Sequence, residues 1–367
     1  MKTFRLLLLL GLLLALPSCF LGRMLIWNKP RPDGFKHFPA REIKMGSSAF
    51  HFVERSGANP VFRDIPMEVN PKHLASLEDI LRSDKTTAML IIRNDTIVYE
   101  QYFDGWDKTM RMNSLSISKS FVSLLLGIAI QEGYIKNEAE PITTFVPELR
   151  GAGFDKICLA DLLNMRSGIK FNNGWLIPYT NEATYFYGRN LRLYLKYLRV
   201  KEPAGVHFEY KSVNTQLLSL AIARATHRSL SAYLQEKLWI PLGMESDASW
   251  SVFDRDSIER SFCCINATVR DFAKLGKLCL QQGQWEGRTV VPAEWMARCT
   301  HPSIDGQTNY SYHFWLYRDG TYAANGYMGQ YVFVNPKTNT IVVRMGRQER
   351  NVDWEGMFYY LTGVEKY

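Results

Sequence analysis

In the stretch NSLSISKSFVSLLLGIAIQEG, Asn113–Gly133, Ser116 stands three residues before Lys119. On a helix that spacing puts a hydroxyl and an amine on one face, roughly 5 Å apart along the axis. A serine hydroxyl becomes a nucleophile when a neighbour takes its proton. An amine with a pKa of about 10.4 does so at neutral pH only when burial or nearby positive charge lowers that value. The apolar residues that follow Lys119 would supply the burial. The N–H groups of a helix start favour the negative charge that develops on a substrate oxygen. Ser114, Ser118, Ser120 and Ser123 lack this spacing and are expected to cap, pack or face solvent. A capping serine and a solvated lysine on an ordinary helix would carry the same letters, so the rest of the chain has to decide.

The chain has 367 residues and a formal charge of +8. Most of that charge lies in the first 44 residues, where Lys2, Arg5, Arg23, Lys29, Arg31, Lys36, Arg41 and Lys44 oppose only Asp33 and Glu42. The remainder has no basic stripe to follow a phosphate backbone, which excludes a nucleic-acid partner. Lys2 and Arg5 precede an apolar run, Leu6–Leu16, of signal-peptide length. LPSC, Leu16–Cys19, resembles a lipobox, so the leader ends either in a lipidated Cys19 or as an uncleaved anchor. Either outcome implies an exported domain, periplasmic or at the cell envelope, attached to the membrane through its N-terminus only. Cys158, Cys263, Cys264, Cys279 and Cys299 form no disulfide framework by count or spacing, and the adjacent Cys263 and Cys264 read as small buried residues. No metal-ligand spacing occurs, so no metal and no cofactor is expected.

The positioning elements follow from pattern. Residues 1–27 read as a leader, 28–74 as a linker and N-terminal strap, and 75–367 as the working domain. Ala88–Phe103 reads as two strands joined by Asn94–Asp95, a pair that tolerates positive φ. Phe121, Leu124, Leu125, Ile128 and Ala129 then recur at helical spacing, with Gly133 to end the helix. Helical patterns dominate from about 134 to 300. Strand patterns return in Tyr312–Arg318, TYAANGYM, QYVFVNP and TIVVRMG, and a last helix starts near Asp353. Strands at both ends with helices between predict an α+β fold, an antiparallel sheet built from N- and C-terminal segments with an inserted helical lobe.

S-x-x-K opening a long apolar helix after a strand pair resembles the serine β-lactamase and penicillin-binding-protein superfamily. A second motif of that family, Y-x-N or Y-x-S, matches Tyr210-Lys211-Ser212, 94 residues after Ser116. A third, K-T-G or H-x-G on a strand edging the cleft, is matched by Ala324-Asn325-Gly326, where Gly326 and Gly329 would let substrate lie against the strand. Ala324 replaces the lysine that usually anchors a β-lactam or D-Ala-D-Ala carboxylate. YKSVNT, GYMGQYVFVNP, LLNMRSGIKF and FCCINATVRDFAKLGKL look most like the branch with 6-aminohexanoate-dimer hydrolases and carboxylesterases. The resemblance covers roughly residues 75–360.

It implies acyl transfer to Ser116 from a small ester or amide. Lys119 with Tyr210 would accept the proton, either one as principal base, and Tyr210 would protonate the leaving group. The N–H groups of Ser116 and Tyr327 would hold the oxyanion, and Ser212 would touch substrate. Trp175, Tyr179 and Tyr327 are expected to shape specificity. A β-lactamase or DD-peptidase of the same fold, or a non-catalytic cell-envelope sensor, would share these residues. A Ser-His-Asp enzyme would not: G-x-S-x-G is missing, and His207, the histidine nearest Tyr210, reads as structural.

Overall fold

A computed structural model of the chain describes residues 20–27, 30–57, 59, 62, 65, 69, 76–174, 180–350 and 352–363. The leader run Leu6–Leu16, Cys19, Trp175 and Tyr179 lie outside the described residues.

The first strands are β1 (Ala40–Ile43), β2 (Val53–Glu54), β3 (Thr86–Arg93), β4 (Thr96–Tyr102) and β5 (Met112–Asn113). The middle of the chain contributes β6 (Ala248–Ser251), β7 (Ile265–Ala267), β8 (Gln284–Trp285) and β9 (Arg288–Thr289). The last are β10 (Tyr310–Ser311), β11 (Phe314–Leu316), β12 (Tyr322–Gly326), β13 (Gln330–Asn335) and β14 (Thr340–Gly346). Helices used below are α1 (Phe20–Trp27), α2 (Leu77–Ser83), α3 (Ser118–Gln131), α4 (Asn181–Tyr187), α5 (Ser212–Thr226), α6 (Val269–Leu280), α7 (Ala293–Thr300) and α8 (Trp354–Thr362).

The main sheet runs β10-β11-β12-β13-β14-β3-β4-β2. Its N- and C-terminal parts meet where β14 pairs antiparallel with β3, Thr340 opposite Arg93 and Ile341 opposite Ile92. Asn94 and Asp95 have φ of 50° and 59°, as the two-residue connection from β3 to β4 requires. β3 is apolar along most of its length because both of its faces are covered. Ala88, Leu90 and Ile92 face the core that holds α3, α5 and α6, whereas Met89 and Ile91 face α2 and α8. The sheet is therefore the middle layer of three.

Sequence pattern and structure part in four places. The segment expected to be helical also carries β6 to β9. β6 and β7 join β1 and β5 in a second sheet ordered β1-β6-β7-β5. Strands of two to four residues are too short for an alternating pattern to show. The strap is not a separate layer either: β1 pairs with β6, and β2 lies parallel to β4 at the edge of the main sheet. The tail of the expected leader, α1, packs on α4, with Arg23 buried and donating from Nε to Tyr187 O at 2.7 Å. Cys263 and Cys264, both buried, are joined by a disulfide between neighbours, which no spacing rule could suggest. Among the described residues no helix is long and apolar enough to cross a membrane.

Two glycines fix how closely the elements around α3 approach. A Cβ on Gly127 would lie 2.5 Å from the Trp295 ring of α7, whose Nε1 donates to Ser123 O at 3.0 Å. A Cβ on Gly326 would lie 2.7 Å from Ser114 O and 3.1 Å from Ser116 N. The end of β12 thus abuts the turn that enters α3, and only a residue without a side chain fits there.

Gly127→Ala should lower stability by about 1–3 kcal/mol of overpacking, more than the gain of about 1 kcal/mol in helix propensity. Denaturant midpoints measure this, and a variant as stable as wild type would contradict the packing. Gly326→Ala should instead separate β12 from the Ser116 turn. Turnover should then fall at least about tenfold, since a displacement near 1 Å at a reacting group costs that much or more. Wild-type turnover by this variant would show that the strand and the turn need not touch.

Candidate active site

Ser116 lies in a single 3₁₀ turn, Leu115–Ile117, that runs directly into α3. Leu115 has φ of 45°, a left-handed conformation that costs a side-chain-bearing residue about 1–2 kcal/mol. The surroundings hold it there. Leu115 N donates to Asn113 Oδ1 at 2.9 Å, and Ser114 N donates to Ile265 O at 2.8 Å. Ser114 Oγ in turn accepts from Ile265 N at 3.1 Å. The remaining serines of the stretch are tied into packing. Ser118 Oγ reaches Leu115 O and Ser261 O, Ser120 Oγ donates to His313 O at 2.7 Å, and Ser123 Oγ lies 3.6 Å from Cys299 Sγ. Ser116 alone among them opens onto a cavity.

Lys119 is 1% exposed. Its Nζ donates to Ser116 Oγ at 2.8 Å and to Phe262 O at 2.7 Å. Burial pushes the amine down to about 7, and the carboxylate of Glu182 pulls the other way. The ammonium also lies 5.1 Å from the centre of the Tyr210 ring. Tyr210, 94 residues after Ser116, therefore shares one neighbourhood with Ser116 and Lys119. Tyr210 precedes α5 and is wedged between Tyr310, 5.9 Å away at 90°, and Trp315 at 5.6 Å. Burial pushes its phenol well above the ordinary range, against the opposing effect of the Ser116 hydroxyl beside it. Lys211 turns away to donate to Ile169 O, so the tyrosine and Ser212 face the cleft while the residue between them does not.

The cleft has a volume of about 320 Å³. Its walls include Ser116, Glu182, Tyr210, Ser212, Asn325 and Tyr327, and none of its lining residues is a lysine or arginine. Ser212 Oγ donates to Glu182 Oε1 at 2.6 Å. Burial pushes the Glu182 carboxyl up, opposed by Lys119 and Ser212. Sequence reasoning missed Glu182 because it sits in no motif. The available signal was an acid at the first turn of the apolar helix α4, a place where burial of a charge needs a partner.

On the third strand, Gly326 and Tyr327 line the cleft and Gly329 does not. Gly329 is required by something else: with φ of 79°, its missing Cβ would fall 1.7 Å from Arg344 Nη1, and its carbonyl accepts from that nitrogen at 2.8 Å. Arg344 itself is fully buried, bonded to Thr86 Oγ1 and Asp84 O, so it is not a carboxylate anchor in the cleft. Ala324 is buried in the core, and the neighbour that lines the cleft is Asn325, donating to Tyr317 OH at 2.7 Å. Neither histidine near these residues offers a triad. Burial and the Lys119 charge push His313 down to about 3, and its ring bonds Thr215 and Tyr310. His207 pairs with Glu202 at the surface.

The sequence and the fold have known relatives. The beta-lactamase family profile matches residues 82–362. The chain is 26% identical over 316 residues to a 6-aminohexanoate-dimer hydrolase of Paenarthrobacter ureafaciens, covering 79% of this chain and 80% of that one. A Bacillus anthracis structure provisionally named a 6-aminohexanoate-dimer hydrolase superposes with a TM-score of 0.78 at 21% identity, over 90% of this chain and 93% of the other. A family VIII carboxylesterase gives 0.61 at 16% identity, over 83% and 98%. A class C beta-lactamase gives 0.60 at 16% identity, over 79% and 95%. With residues 82–362, most of its length, matched by that profile, the chain belongs to the beta-lactamase family.

Proposed function

We propose that this hydrolase acts by forming an acyl-enzyme at Ser116 with a small ester or amide substrate. The observation that carries the reading is the buried Lys119 amine, 2.8 Å from Ser116 Oγ and pushed down to about 7. An amine that is uncharged in a good share of molecules at neutral pH can accept the serine proton as Oγ attacks the carbonyl carbon. The carbonyl π bond becomes an oxyanion, for which the N–H groups of Ser116 and Tyr327 are the proposed donors. Collapse of the tetrahedral adduct breaks the bond to the leaving group, which takes a proton from Tyr210 or Lys119. Where Tyr210 is the donor, Lys119 passes its proton on to the phenolate. Water then attacks the ester on Ser116 while the neutral amine takes its proton; the acyl C–Oγ bond breaks, the amine returns that proton to Ser116 Oγ, and the acid leaves.

Between the two candidate bases, the physical chemistry favours Lys119. Burial drives the Tyr210 phenol upward, so its phenolate is scarce at neutral pH and its role is that of a donor. Ester or amide chemistry is favoured over a β-lactamase or DD-peptidase because Ala324 is buried, Arg344 is sequestered and no cation lines the cleft. A carboxylate beside the scissile bond would instead meet Glu182. The cleft of a sensor that only binds ligand would have no need of a depressed amine on a hydroxyl.

A fluorophosphonate should label wild-type protein once, at Ser116, and should not label Ser116→Ala. Intact-mass measurement reads the adduct, and tight ligand binding without labelling would favour the sensor. With 4-nitrophenyl acetate, kcat/KM should rise as pH passes upward through about 7, because Lys119 must lose its proton to act. Lys119→Ala should lose about 10²–10⁴-fold in kcat. Glu182→Gln removes the negative charge that favours the ammonium, so the acid limb of the pH profile should move to lower pH. A limb that stays in place or moves upward would mean that Glu182 does not act on Lys119.

A further inference from the structure

Next to the cleft lies a second, larger cavity of about 460 Å³. Tyr327 and Glu349 line both, so the two spaces adjoin across that pair. The cations of the second cavity come from three separate parts of the chain. Arg31 belongs to the strap, Lys85 to the turn before β3, and Arg347 and Arg350 to the segment after β14. Glu349 is the one acid in the lining, and its carboxylate accepts a hydrogen bond from Tyr331.

Among the described residues no carboxylate lies within ion-pair distance of Arg31, Lys85 or Arg350, and Arg347 has only Asp104 at 4.0 Å. Arg347 Nε is buried without an acceptor. Other arginines of the same protein are satisfied: Arg270 pairs with Glu100 at 2.6 Å, and Arg224 with Glu148 at 2.6 Å. Four like charges around one concavity repel one another and raise its affinity for anions. Guanidinium forks suit planar or tetrahedral oxyanions in particular.

We infer that this basic annex holds the far end of the substrate, a terminal carboxylate or phosphate, while the reacting carbonyl sits at Ser116. The inference rests on the acyl-transfer reading of Ser116. It also explains how a cleft lined by Glu182, and by no cation, would serve an anionic substrate: the charge is received beyond Tyr327, away from the scissile bond.

The test uses the full chain and esters matched in length. On the acyl side, 4-nitrophenyl hexanoate is compared with the 4-nitrophenyl carboxylic esters of adipic acid (the half-ester) and of 5-phosphonopentanoic acid. On the leaving-group side, hexyl acetate is compared with 6-acetoxyhexanoate. On one side the charged ester should exceed its neutral partner at least tenfold in kcat/KM, mainly through KM. The adipate and phosphonate arms decide which oxyanion is preferred. In the double variant Arg347→Gln, Arg350→Gln that ratio should fall towards one. Ratios near one on both sides in wild type, or a preference retained by the double variant, would overturn the annex. Turnover of the neutral esters reports separately on Ser116. If no ester turns over, the acyl-transfer reading fails by itself, and binding decides the annex. Adipate should raise the melting temperature of Ser116→Ala protein and leave that of the double variant unmoved. No shift in either would end the proposal.

Discussion

Lys119 brings an amine into an interior where an ion is costly and gives it two oxygens to face, Ser116 Oγ and Phe262 O. The amine can be satisfied there whether or not it carries its proton, and that double tolerance constrains everything around it. The carbonyl of Phe262 must come from the segment before β7, the hydroxyl from the turn before α3, and the aromatic wall from Tyr210, two residues before α5. These three segments converge on one amine only because the inserted lobe folds back against the sheet. The second sheet makes that return specific. β7 pairs with β5 just ahead of the Ser116 turn, Met112 opposite Ala267 and Asn113 opposite Asn266, so the turn and the Phe262 segment move as one piece.

The other rigid boundary is the β12–β13 hairpin. Its turn is clamped from beneath by Arg344, which spans Gly329 O, Asp84 O and Thr86 Oγ1 and stacks 3.9 Å over Trp354. A buried guanidinium with this many acceptors anchors backbone, and the hairpin edge then presents Gly326 to the Ser116 turn at a set height. The two glycines of GYMG serve different masters: one gives room to main chain at the Ser116 turn, the other to the arginine that steadies the loop.

Much of this was legible in the letters. The spacing of Ser116 and Lys119, the Asn94–Asp95 turn, the pattern of β12 to β14 and the order of Tyr210 after the nucleophile are local or near-local signals, and local signals survive in sequence. What escaped was of another kind. Glu182 matters through a neighbour 63 positions away, and nothing in its own segment announces that. The strands of the second sheet are too short for periodicity, and their pairing is a property of the whole lobe. Gly329 looked like a substrate contact because glycine is ambiguous: it marks a place where something comes close, and the sequence does not say what. The disulfide between Cys263 and Cys264 was hidden for a related reason, since adjacency in a buried segment usually signals only small size.

The strap gains a different meaning once its contacts are considered. Pro32 O accepts from Asn113 N at 2.8 Å, and Asn113 Oδ1 in turn fixes Leu115 in its unusual conformation. The segment around Pro32 is thus an outer brace of the turn that carries Ser116, two hydrogen bonds removed from it. Without the main chain at Pro32 that brace would be lost. A chain that began beyond it would leave the turn carrying Ser116 without this support.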